Sequence, residues 1–589
     1  MKKRLLSFFI LPSILLTSCS FLFSTKSVEK EIKVYDIDRL DKDGNLSSGY
    51  QTTLKTRFIS GRDYIPYLTL NQYASLYEPH LAEGMESKVE KVSFGSIWTV
   101  SKGEDVYFAA QINYLYDQIV LAGNLESAFA DDDDPRDLKA LNYGMKNTSD
   151  GKFLGDKTYA TFSFADYSIS HFTYNNEHYY PLGLLDITFS DSSSIYFTYN
   201  YKHIISTRDV DNYRSTLYIE DGYQYTFDSQ MESYSSLGIM PTYLAEYNAN
   251  LFLYLMDHFY GLKDTKGIKS MVSYYKNKGV YTGFFSSFSS LRGQAYSDAL
   301  TILDDNHTVL YSTNSTWGEN VYDVKYADGV KSRSITRNTL KGLRSAMYEQ
   351  YQKQLAKNGD VIYSQDGKTA MFSFDSFVFG TTEQVFNEDE SIKQDARYYD
   401  TFINLIAVLQ SIKNKGGVDN VILDISINGG GVIGVMMKLL ALISKDNNGG
   451  ISFYDDTTTQ VGIYGAQIDI NADEKYDQED CFGNDFNFYI LTSDCSFSCG
   501  NAFPCLAQIN KTAKIIGQKS GGGECAVAIH YLPNSQYVYH SSNLHLGYFD
   551  EGTNTFTGFE KGATPDIEIQ IGNSFYNIEY LNTAIKSAQ

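Results

Sequence analysis

Twice in its last third this chain runs an apolar stretch into a tight turn and then into a helical pattern. VILDIS (421–426) ends in Asn428-Gly429-Gly430-Gly431, and VIGVMMKLLALISK (432–445) follows. NFYILTS (487–493) leads past Ser498 into NAFPCLAQIN (501–510), and AKIIGQ (513–518) reads as another buried strand. Unbroken Val/Ile/Leu runs belong to strands covered on both faces. Strands that alternate with helices imply a sheet covered by helices. DTFINLIAVLQSIKNKGG (400–417) adds an amphipathic helix with a glycine stop. DVIYSQDGKTAMFSF (360–374) adds two short strands around an Asp-Gly turn. Residues 358–589 therefore read as an α/β domain.

The rest of the 589 residues reads differently. Residues 31–235 are β-rich: short Tyr/Phe/Ile/Val/Thr runs, such as 160–174 and 194–207, broken by Asp, Asn, Gly and Ser. Two segments there are loosely alike, DYIPYLTLNQYASLY (63–77) and EHYYPLGLLDITFS (177–190), each an aromatic-Pro step before an apolar patch. Residues 240–357 change to helical spacing, in TYLAEYNANLFLYLMDHFYGLK (242–263), YSDALTILDDNH (296–307) and 334–356. The acids at 131–134 read as a solvated loop. Asp469-x-Asn471-x-Asp473 resembles the start of a calcium loop but has Glu474 where the turn needs glycine, so a surface loop is expected and no metal.

A net charge of −22 argues against nucleic acid as a partner. The N-terminus reads as an export signal: Lys2, Lys3 and Arg4, then a short apolar run over 5–16. Leu16-Thr17-Ser18-Cys19 resembles a bacterial lipobox. The expectation is a signal peptide over 1–18, lipidation of Cys19, a polar tether over 19–30, and a membrane partner through that anchor on the outer face of the cell membrane. Five further cysteines, Cys481, Cys495, Cys499, Cys505 and Cys525, match no zinc spacing and read as small buried apolar residues. Their odd number leaves at least one thiol unbridged.

Ser498 and the glycine run carry the chemistry. A serine at a strand-to-helix junction sits at the positive end of a helix, where an anionic intermediate is favoured. Glycines let a turn aim its N–H groups outward. Val432 and Ile433 follow the glycines where a phosphate loop needs Lys and Ser/Thr, so nucleotide binding is not expected.

Four segments, VILDISINGGG, YILTSDCSFSCGNAFPCLAQ, AKIIGQKSGGG and FEKGATPDIEI, follow one another as do the motifs of the tail-specific, or C-terminal-processing, serine peptidases, and the C-terminal region resembles that family. The resemblance implies a crotonase-like α/β fold and a serine-type endopeptidase without cofactor, acting on peptide or protein substrates. It makes Ser498 the nucleophile, and it places the oxyanion hole at Gly429 or Gly430 together with Cys499. The lysine that many members use would fall within Gly521-Gly522-Gly523, and none is there; Lys519 lies before it. A tricorn-like branch uses a Ser–His–Glu relay instead, with the His in an upstream turn. That turn corresponds here to Asp304-Asp305-Asn306-His307-Thr308, which makes His307 the general base, with His530, His540 and His545 as rivals. Glu560 is the best match for the acid, with Glu551 and Asp550 behind it. The missing lysine leaves a second reading open, a catalytically inactive binding module on the same fold. A third is an adhesion protein working through its Tyr-rich N-terminal half.

Overall fold

The computed structural model describes residues 32–40, 53–129, 138–148, 152–154, 159–199, 204–207, 235–312, 328–533 and 536–588. The export signal with Cys19 and the acids at 131–134 lie outside them. The chain divides into two compact units. One comprises Met1–Pro135, Asp156–Ala327 and Val527–Ser541; the other comprises Arg136–Gly155, Asp328–Ala526 and Ser542–Gln589. The units run across the boundaries expected near 235 and 357. Residues 328–357 fold with the C-terminal α/β region, as do Arg136–Gly155, while Val527–Ser541 leave it.

The first unit contains a seven-stranded sheet, ordered Phe172–Tyr174, Glu177–Pro181, Arg62–Leu68, Thr53–Ile59, Ile32–Leu40, Ile204–Thr207 and Tyr196–Tyr199. It also contains a five-stranded antiparallel sheet from Glu86–Val92 to Ala160–Ser163. The two look-alike segments each form a strand and then a helix, Leu70–Ser75 and Leu182–Ser193, and the β-rich expectation misses these and the short helix Leu138–Asn142. Their strands pair with each other, Tyr180 opposite Leu68 and Pro181 opposite Tyr67. Tyr73, Tyr77, Trp98, Phe108, Phe189 and Phe197 pack here as one buried cluster with ring centroids 5.0–6.2 Å apart. Helix Thr242–Phe259 is buried along most of its length. Among the described residues no helix is long and apolar enough to cross a membrane.

The second unit is a three-layer α/β sandwich. Its six-stranded sheet runs Ile362–Tyr363, Thr369–Ser373, Asn420–Asp424, Asn487–Thr492, Ala513–Gly517 and Ile567–Glu568, parallel after the first pair. Alternate residues feed opposite faces. Val421, Leu423, Ile490 and Ile515 pack with helices Thr401–Lys415, Ile433–Ile443 and Cys499–Ile509. Ile422, Tyr489, Leu491 and Ile516 pack with helices Asp328–Asn358 and Ile578–Ser587. This double covering is why the strands read as unbroken apolar runs. A second sheet is built around Gly449–Asp455 and Gln460–Ile468, onto which Met145–Asn147 and Lys152–Leu154 add as edge strands. All five of these cysteines are buried and unbridged.

Candidate active site

The strands Asn420–Asp424 and Asn487–Thr492 run parallel, so the turns after them lie side by side at the carboxyl end of the sheet. The first turn is set from below. Asp424 is fully buried, accepts hydrogen bonds from Ser373 (2.7 Å) and Ser426 (2.6 Å), and pairs with Arg344 at 3.0 Å. Ser426 also meets the Tyr576 hydroxyl at 2.7 Å. The second turn is bolted to the first. Ser496 donates to the Ile425 carbonyl at 2.8 Å, and the Phe497 N–H to that of Asn428 at 3.0 Å.

Ser498 sits at the apex of this second turn. Its backbone lies at φ 57°, ψ −127°, a strained conformation for a residue with a Cβ. It caps helix Cys499–Ile509, and its hydroxyl caps nothing. The helix starts directly after it, although Pro504 lies inside. The Ser498 hydroxyl takes no hydrogen-bond partner among the described residues of its own unit.

The glycine turn faces it. A Cβ on Gly430 would stand 2.7 Å from the Ser498 Cβ and 3.0 Å from its Oγ, so only glycine lets the two turns close this far. The Gly430 N–H, however, donates to the Asn428 side chain at 2.8 Å. Gly430 therefore shapes the site without being free to hold an oxyanion. The N–H groups of Gly429, which is exposed, and of Cys499, first in the helix, meet no protein oxygen among the described residues. The Cys499 thiol donates to the Gly431 carbonyl at 3.1 Å and holds the helix start against the glycines.

Glu560 comes to the same turn from the chain's far end. Its Oε2 accepts from the N–H groups of Gly523 (2.9 Å) and Glu524 (3.0 Å). The neighbouring Gly522 carbonyl accepts the Ser498 N–H at 3.0 Å. Glu524 answers by accepting the Glu560 N–H at 2.7 Å. Glu524 also meets His545 Nδ1 at 2.9 Å, while Nε2 of that ring meets Asp456 at 2.7 Å. Burial alone would depress the His545 imidazolium, but hydrogen bonds to Asp456, Cys525 and Glu524 outweigh it and raise the pKa to about 12. A ring held between two carboxylates, and biased by them toward its charged form, braces this loop. Lys519 is exposed, whereas its neighbour Ser520 is buried.

His307 belongs to the other unit. It sits in a turn that Asp305 fixes: Asp305 accepts from the His307 N–H (3.1 Å) and from the Thr308 (2.6 Å) and Ser541 (2.8 Å) hydroxyls. His530 and His540 are buried against each other at 2.9 Å, both held well toward the neutral form by burial. Asp550 is spent on the Gly552 N–H (2.8 Å) in an exposed hairpin turn that also carries Glu551. In the calcium-like stretch, Asp469 accepts the N–H groups of Ala472 (2.7 Å) and Glu474 (3.0 Å), so it closes its own loop.

Two sets of residues escaped sequence reasoning. Asn501 links the motifs, donating to the Phe559 carbonyl (2.9 Å) and accepting from Ser520 (2.7 Å). Its signal was its position, where the family shows Glu. Arg333 and Arg337, on helix Asp328–Asn358, overhang the serine turn. The Arg333 guanidinium lies 5.4 Å from the Phe497 ring centre, and Arg337 Nη2 lies 3.4 Å from where a Gly429 side chain would begin.

Residues 391–569 match the model of peptidase family S41. The C-terminal region thus carries a domain of a serine peptidase family, and the S41 match spans both turns, Ser498 and Glu560. No curated protein matches the chain by sequence. Among solved structures, the photosystem II D1 C-terminal processing protease is similar at 13% identity and a TM-score of 0.25, over 34% of this chain and 42% of that one. A putative peptidase from Parabacteroides merdae is similar at 16% identity and a TM-score of 0.34, over 51% of this chain and 82% of that one. A lipoprotein from Streptococcus agalactiae is similar at 12% identity and a TM-score of 0.33, over 60% of this chain and 98% of that one. This chain thus spans less than half the length of the first, and likeness at these scores carries no weight for activity.

Proposed function

We propose that the protein is an exported, lipid-anchored serine endopeptidase of the Ser–His–Glu type. The Ser498 oxygen attacks a peptide carbonyl while His307 takes its proton. The N–H groups of Gly429 and Cys499 hold the oxyanion. Collapse of the tetrahedral intermediate breaks the C–N bond, and His307 returns the proton to the leaving amine. Water, deprotonated by His307, then releases the acyl group from Ser498. Glu560 holds the imidazole in the tautomer this requires. Anchoring through Cys19 would keep the enzyme at the outer face of the membrane.

One observation carries the reading: a strained serine caps a helix beside two unpartnered N–H groups, within the S41 match. Groups fixed ahead of the reaction toward developing charge supply the largest share of acyl-transfer catalysis. The test is labelling of the mature chain with a fluorophosphonate, in which the Ser498 oxygen displaces fluoride at phosphorus. Labelling should appear in the parent and vanish in Ser498→Ala. In His307→Ala it should fall on the order of 10⁴-fold or more. A well-folded parent that stays unlabelled would overturn the reading in favour of the binding module.

A further inference from the structure

Helix Asp328–Asn358 turns one stripe toward the sheet, on which Leu340, Arg344 and Met347 are buried. Continued toward the helix N-terminus at the same spacing, that stripe reaches Arg337 and Arg333. There the helix has passed the edge of the core and overhangs the serine turn. Positions that would otherwise carry apolar residues carry two guanidinium groups. Arg333 is engaged with the Phe497 ring, and its carbonyl accepts the Cys495 thiol hydrogen bond at 3.3 Å. Arg337 is only half-exposed and has no ion pair or hydrogen bond among the described residues. Its Nη2 stands 3.4 Å from the side-chain position of Gly429, the proposed oxyanion donor. Asp494, the acid next to Cys495, accepts the Thr336 hydroxyl at 3.3 Å and forms no ion pair with Arg337. Arg337 thus places an unpaired positive charge beside the proposed reacting position.

We propose that Arg337 is a specificity residue that binds a substrate carboxylate next to the scissile bond. This rests on the proposed function, because it takes Ser498 and Gly429 as the reacting position. A guanidinium presents paired donors that match a carboxylate, and an unpaired, partly desolvated one is the stronger partner. The carboxylate comes either from an acidic side chain or from the end of the substrate chain.

The experiment uses three fluorescent peptidyl fluorophosphonates on the full mature chain: one with a Glu arm, one with Gln in its place, and one Gln probe ending in a free acid instead of an amide. Labelling rates of Ser498 and, on the Ser498→Ala chain, binding by fluorescence polarisation are both read. A carboxylate-bearing probe should be preferred over the neutral one by about 10-fold or more. Arg337→Gln should collapse that ratio, and Arg337→Lys should keep part of it. A preference for the Glu arm assigns the side chain, and a preference for the free acid assigns the chain end. Equal rates and equal binding across the probes, or a ratio that survives Arg337→Gln, would overturn the proposal. Selective binding without any labelling would leave Arg337 standing and remove the peptidase reading instead.

Discussion

Single residues here are held in charge states and conformations they would not choose alone. His545 is the clearest case, with each ring nitrogen on a carboxylate and its pKa raised to about 12, against about 6.5 in an unfolded chain. The folded protein keeps this proton where the unfolded chain releases it. The stabilisation is therefore complete below about pH 6.5 and is lost progressively as pH rises toward the folded-state value. We expect the stability difference between the parent and His545→Gln, from urea melts, to shrink between pH 6.5 and 9, by at most about 1.4 kcal/mol per pH unit. A difference that does not change with pH would mean that the ring is neutral. Because Glu524 links His545 to the Glu560 loop, the variant should also slow Ser498 labelling if Glu560 orients the base.

At the scale of elements, the candidate site is two strand-to-helix turns that close on each other. Gly430 sits at φ 112°, and a Cβ there would lie 2.7 Å from that of Ser498 and 3.0 Å from the Phe497 carbonyl. Backbone cannot yield as a flexible side chain can, so the serine turn must move. We expect Gly430→Ala to keep its circular dichroism spectrum and lose about 100-fold in Ser498 labelling rate, the scale set by a displacement of roughly 1 Å. Near-parent labelling would show that the turns tolerate separation. Pro504 makes the opposite point. It breaks the usual helix ladder in Cys499–Ile509, yet the helix begins at once after Ser498, because neighbours hold its start.

At the scale of the whole molecule, the S41 match does not coincide with a folding unit. Helix Asp328–Asn358 precedes the match, yet Leu340 and Met347 lie in the same core as the sheet residues Ile422 and Ile516. The edge strands Met145–Asn147 and Lys152–Leu154 come from still further upstream. Leu340→Ala should cost about 2–5 kcal/mol in a denaturant titration, as buried leucines do. Residues 358–589 expressed alone should show no cooperative thermal transition. A cooperative melt at the full chain's midpoint would show that the upstream pieces are dispensable.

Chemistry that depends on nearest neighbours along the chain was settled by the sequence itself. Unbroken apolar runs give strands covered on both faces, and Asn428 to Gly431 form a turn because glycine is turn chemistry wherever it occurs, whereas the strained Ser498 turn, whose hydroxyl caps nothing, is held by its neighbours. The motifs around Ser498 and Glu560 stand in order along the chain, and the S41 match spans both. Only the tertiary structure decided what depends on residues far apart. It spent the Gly430 N–H on Asn428, locked His545 between Asp456 and Glu524, and set Arg337 over Gly429. It also folded 136–155 and 328–357 with the six-stranded sheet. A hydrogen-bond partner or a charge contact is chosen by distance in space, and neither composition nor periodicity encodes that distance.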